Sequence, residues 1–161
     1  MTLSSESERP RLMRVKRSAS VLVSTFIIGL VGSLSITSAQ AGYAQSTIGS
    51  FTTAGVSYKN ASDILTQAGA DSSGSLVRRS DGSNAPTGHI GAMARGYRSS
   101  NGNLACSTQY VYSGSPQPSF LALCTFSGVA GYSYYGYGIS KSWNGSAYAA
   151  TFTPTSPSQT A

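Results

Sequence analysis

Downstream of residue 41 the chain carries one histidine, His89, three aspartates (Asp63, Asp71, Asp81) and no glutamate. Glycoside hydrolysis needs two carboxylates flanking one bond, and a catalytic zinc site needs three protein ligands around the metal. That inventory is too thin for either. A serine triad through His89 would lack the G-x-S-x-G elbow, and serines this numerous make some coincidence of Ser, His and Asp inevitable. His89 is expected at a loop or strand edge with no catalytic role, and neither an enzyme, a cofactor nor a metal site is expected. Asp81-Gly82-Ser83-Asn84 offers oxygens on a turn, yet a single carboxylate falls short of what a tight calcium site demands. Arg78-Arg79 reads as a solvated basic pair.

Cys106 and Cys124 are the only cysteines. With no C-x-x-C pair to hold a metal, they are expected to form a disulfide in an oxidising compartment. The loop so closed spans 19 residues counting both ends. Such a cross-link is worth about 3 kcal/mol in the chain-entropy treatment.

The densest chemistry is aromatic. Tyr110, Tyr112, Tyr132, Tyr134, Tyr135, Tyr137, Trp143 and Tyr148 crowd into residues 110–148. Rings of this kind fill a β-core or line a binding face, where a flat apolar body with a hydroxyl suits a sugar, a peptide or a membrane interface. Neighbours on a strand point to opposite faces, so the rings of residues 132–137 cannot all share one core. Tyr134, Tyr137, Trp143 and Tyr148 are the expected contact residues, chosen for their clustering.

Strands must position these rings. From Ile90 onward short side chains alternate with aromatic or aliphatic ones between turn residues, the pattern of antiparallel strands. Asn101-Gly102 and Asn144-Gly145 each signal a two-residue type I′ hairpin. The first sets Tyr97 opposite Cys106 and Met93 opposite Tyr110. The second sets Lys141 opposite Tyr148, Ile139 opposite Ala150 and Tyr137 opposite Phe152, a face shared with Tyr135 and Trp143. A Gly114-Ser115-Pro116-Gln117-Pro118 loop joins strands at 104–112 and 119–126, and the disulfide staples these directly if they are neighbours. Upstream, residues 48–53 and 55–59 read as strands, and residues 62–68 as a short helix with Ser62 as N-cap and Gly69 as its stop. Residues 71–88 read as a long surface loop with a short strand at 76–79.

The expected fold is all-β, an antiparallel sandwich or small open barrel of about six to eight strands with one disulfide. It occupies residues 42–152 and is followed by a flexible Pro, Ser and Thr tail at 153–161 with no core to join.

Residues 1–41 read as a signal peptide. Arg9, Arg11, Arg14, Lys16 and Arg17 precede an apolar stretch at 19–36, closed by Ala39-Gln40-Ala41, so cleavage is expected between Ala41 and Gly42. A retained anchor is the competing reading, weakened by Gly29, Gly32, Ser33 and Ser35. The long basic leader suits a bacterium, and the product is expected to be secreted and extracellular. A bacterial source makes the sequons at Asn60 and Asn144 accidental.

Without the leader, six basic residues face three acids, a net charge of +3. That is too little for the phosphate neutralisation on which nucleic-acid affinity rests. The expected function is non-enzymatic contact with a cell-wall or surface glycan, an envelope component or a protein, with the membrane met only in transit. A secreted membrane-active toxin resembling a bacteriocin is the alternative. Third comes a protease inhibitor using residues 114–118.

Overall fold

The computed structural model describes residues 42–67 and 70–161. The leader with Ala39 and Ala41, together with Ala68 and Gly69, lies outside the described residues. The described chain is all-β and antiparallel, and no helix occurs in it.

One five-stranded sheet contains β1 (Gly42–Gln45), β2 (Gly49–Thr53), β3 (Val56–Thr66), β4 (Asp71–Arg79) and β9 (Ser119–Phe126). Its order is β1-β3-β4-β9, with β2 sharing the β1 edge of the long β3. The remaining strands are β5 (Ile90–Met93), β6 (Arg95–Arg98), β7 (Leu104–Ser107), β8 (Val111–Tyr112), β10 (Ser133–Gly136), β11 (Ile139–Trp143), β12 (Tyr148–Phe152) and β13 (Gln159–Thr160). They make two four-stranded sheets, β12-β11-β5-β8 and β13-β10-β6-β7.

These two sheets are consecutive stretches of the same ribbons. Ala94 alone separates β5 from β6, and Tyr137-Gly138 separates β10 from β11. Side-chain hydroxyls stand in for ladder carbonyls at the break. The N–H of Ala94 donates to Thr108 Oγ1 at 3.0 Å, that of Gly138 to Thr153 Oγ1 at 2.8 Å, and that of Gly136 to Ser156 Oγ at 2.8 Å. Splitting ribbons in this way yields more strands than the expected six to eight.

The five-stranded sheet faces this broken layer, β4 packing on β5, β6, β10 and β11, and β9 on β5 and β7. The contact is narrow because the facing side chains are small. A Cβ on Gly138 would meet Ser75 Cβ at 2.7 Å, and one on Gly136 would collide with the Asp63 carbonyl. Serine hydroxyls span the gap: Ser62 Oγ donates to the Gly136 carbonyl at 2.9 Å, Ser73 Oγ to that of Arg95 at 2.8 Å, and Ser142 Oγ to Thr53 Oγ1 at 2.7 Å. Larger apolar groups collect in three small clusters, around Val77 and Ile90, around Ala94 and Ala122, and around Ile64 and Tyr134.

The disulfide forms as expected, Cys106 on β7 to Cys124 on β9 with Cα atoms 5.8 Å apart. These strands are not hydrogen-bonded neighbours, so the bond ties the edges of two facing sheets together.

Several sequence expectations are corrected. Ser62 caps no helix but lies within β3, where Ser62, Ile64 and Thr66 point inward by twos. Residues 71–79 of the supposed loop form β4, a central strand whose Ser73 and Ser75 are buried because the sheets leave room only for small groups. The tail does find a core. Thr153 and Ser156 are buried, and β13 pairs with β10.

Both Asn-Gly hairpins are longer than a type I′ turn. That turn needs positive φ at both central residues, yet Ala54 is the one non-glycine with positive φ among the described residues. Asn144 Oδ1 instead accepts the N–H groups of Ser146 at 2.9 Å and Ala147 at 2.8 Å, closing a four-residue loop. The register moves by two: Trp143 faces Tyr148, Lys141 faces Ala150 and Ile139 faces Phe152. In the other hairpin Tyr97 faces Leu104, and a bulge between Gly96 and Tyr97 sets Gly96 opposite Cys106.

Candidate binding face

The broken layer has an inner side of Ser140, Ser142, Ala92, Gly96 and Gly136, all buried. Alternation turns the intervening residues outward, and directly paired residues share a side. Tyr135 pairs with Tyr97, Ile139 with Met93 and Phe152, Lys141 with Gly91 and Ala150, and Trp143 with Tyr148. One outer face therefore collects most of the rings.

At one end Tyr97 stacks on Tyr135, with centroids 5.4 Å apart and planes 18° apart. Tyr137 follows, 6.5 Å from Tyr97, and stacks on Phe152 at 5.4 Å with planes 5° apart. At the other end Tyr148 joins Tyr112 at 4.5 Å and Trp143 at 5.0 Å, and His89 lies 6.4 Å from Trp143. The Tyr148 hydroxyl donates to the Gly88 carbonyl at 2.7 Å, which fixes this ring over the β5 entry. A glycine at position 91 makes room for the next ring: a Cβ there would meet Tyr112 Cδ1 at 2.5 Å. Burial beneath its neighbours, then the nearby Tyr148 and Tyr110 hydroxyls, push the Tyr112 phenol above its ordinary value.

Between the two ring groups stand cations. Lys141 Nζ lies 4.2 Å over the Tyr110 ring, and Arg95 Nε donates to Met93 Sδ at 3.1 Å. Carboxylates are elsewhere. Asp63 lies in β3 on the other sheet, Asp71 is buried in β4, and Asp81 is held by Arg79 at 2.8 Å in the turn after β4. Three sequence-nominated residues, Tyr137, Trp143 and Tyr148, meet on the face. Phe152 is its most open ring, 57% exposed.

Tyr134 does not join them. It is buried among Ile64, Ala44 and Phe126, and its hydroxyl accepts the Val129 N–H at 3.0 Å. The parity of β10 sends it inward while Tyr135 turns out. Tyr97, Tyr112, Tyr135 and Phe152 lie on the face without being among the expected contact residues. For Phe152 the signal lies in the Asn144-Gly145 hairpin, where a register error of two leaves every side chain on its original face; for Tyr97 it does not, because the bulge puts Gly96 beside Cys106 and turns Tyr97 to the other side.

Comparison with family models, with curated proteins and with solved structures finds no match. The reading of the face rests on its own chemistry. His89 takes its place there as a ring beside Trp143, its carbonyl accepting the Trp143 N–H at 2.8 Å. The loop at 114–118 is pinned by a two-bond bridge between Gln117 and Ala85.

Proposed function

We propose that the chain is exported, cut between Ala41 and Gly42, and acts outside the cell as a non-catalytic two-layer β-sandwich that binds a cell-envelope glycan. The observation that carries this is the ring ladder Tyr135, Tyr97, Tyr137 and Phe152, continuous across two sheets on a side with no carboxylate. Sugar rings present C–H faces to aromatic planes and hydroxyls to their edges, and tyrosine supplies both partners. Lys141 and Arg95 add donors for hydroxyl or acidic substituents.

Purified protein is incubated with isolated cell-wall polysaccharide and separated by sedimentation. Co-sedimentation of the parent protein, lost in Tyr137→Ala and Trp143→Ala with folding intact, supports the proposal; no co-sedimentation, or none of the loss, overturns it. The membrane-active alternative draws on Leu121 and Leu123, both exposed on β9. Dye release from anionic vesicles at the same protein concentrations would favour that reading instead.

A further inference from the structure

At the disulfide-tied edge, away from the ring face, β6, β7 and β9 border a cleft of about 390 Å3 lined by Arg98, Asn103, Leu104, Thr125, Phe126 and Ser127, among others. Arg98 is its singular feature. The guanidinium carbon stands 3.3 Å from the centre of the Tyr132 ring. Its Nε is buried with no hydrogen-bond partner and offers no surface to a ligand, so the groups a cleft ligand meets are the two terminal amines; among the described residues Arg98 makes no ion pair. A charged fork without an anionic partner in the protein is suited to taking one from outside.

The acceptor that suits a planar guanidinium edge is a carboxylate, whose two oxygens match two parallel N–H groups. The remaining walls describe what carries it. Phe126 and Leu104 give apolar surface, while Asn103, Thr125 and Ser127 put an amide and two hydroxyls at the exposed rim. A space of this size sits near the lower end of ligand pockets, roughly 300–1,000 Å3, and holds one ring rather than a chain segment. We infer that the cleft takes a single acidic sugar unit of the hexuronate class, carboxylate on Arg98, ring face on Phe126 and Leu104, hydroxyls toward Asn103, Thr125 and Ser127. This site is separate from the ring face and does not depend on it.

Glucuronate is titrated into the purified protein while the backbone amides of Asn103, Ala105 and Ser127 are followed by NMR, with glucose, the methyl ester of glucuronate and acetyl-alanyl-alanine run alongside. Saturable shifts with glucuronate, and none with glucose or the ester, are expected. Arg98→Met should weaken the affinity roughly ten- to hundredfold, the weight of a hydrogen bond to a charged group, without lowering the melting temperature. Arg98→Lys keeps the charge and loses the fork, so it should also weaken binding; it serves if the Met variant fails to fold. Tyr137→Ala should leave the titration unchanged, which separates failure here from failure of the ring-face proposal. No saturation with glucuronate, an equal response to the ester, tighter binding of the dipeptide, or unchanged affinity in the Arg98 variants overturns the inference.

Discussion

The Ser62 hydroxyl on β3 reaches across to the Gly136 carbonyl on β10, 2.9 Å away, at a point where both residues are buried. The two layers meet there through a hydrogen bond between small residues, not through interdigitated hydrocarbon. The Gly136 carbonyl keeps the Ser156 N–H at 2.9 Å, and the Ser62 hydroxyl is shared with the Pro154 carbonyl, so Ser62→Ala should cost about 0.5–1.5 kcal/mol, the net worth of a hydrogen bond. Gly138→Val adds bulk where Ser75 already touches, and should cost at least as much by forcing the sheets apart. Urea melts of both variants check this, and a neutral Gly138→Val would contradict the close approach.

The disulfide acts on the same contact from one edge. Cys106 and Cys124 belong to different sheets, so no ladder hydrogen bonds replace the link once it is cut. Reduction, or Cys106→Ser with Cys124→Ser, should lower stability by about 3 kcal/mol, and the loss should appear as earlier unfolding in denaturant. Material melting at the same urea concentration with and without reductant would show that the serine seam holds the layers unaided.

How far the sequence reveals this arrangement follows from what each signal encodes. Alternation fixes faces, which is why Tyr137, Trp143 and Tyr148 were legible as one group. It does not fix register, because the Asn144 side chain accepts two backbone N–H groups and lengthens its loop by an amount no hydrophobic pattern records. The first half misleads for another reason. Ser73 and Ser75 read as a solvated loop by composition, whereas in β4 they are buried because the facing Gly136 and Gly138 leave no space for larger groups. A core whose inward residues are Ser, Gly and Ala carries no hydrophobic alternation to detect.

Asp63 gives a pH test with a definite sign. It lies on β3 opposite Gly74, where a Cβ would collide with its carboxylate. Burial pushes its carboxyl above the usual carboxylate range, partly offset by a hydrogen bond from the Gly74 N–H. A group whose folded value exceeds its unfolded one contributes stability that is full below the unfolded value, here 3.8, and is lost as pH rises through the folded value. Asp63→Asn should therefore be at least as stable as the parent at neutral pH, with that advantage fading below the unfolded carboxyl range. Denaturant midpoints on both sides of that range decide it, and an Asn variant weaker at neutral pH than in acid, relative to the parent, would reverse the sign.

The stacked pair Tyr137 and Phe152 separates a ring platform built for contact from one that merely covers the layer. Their planes lie 5° apart at 5.4 Å, yet Phe152 is 57% exposed, so its outward side has no protein partner. Such a pair should couple by about 0.5–1.5 kcal/mol in a double-mutant cycle of Tyr137→Ala and Phe152→Ala measured by unfolding. Stability alone accounts for one side of each ring. If the open side serves a ligand, polysaccharide affinity should fall in Phe152→Ala by more than the small stability change of an exposed residue, and the cycle repeated on affinity should be non-additive because each ring orients the other. Affinity that is additive, or indifferent to Phe152, would reduce the stack to a lid over Ile139 and Met93, which pair beneath it on the same side of the sheet.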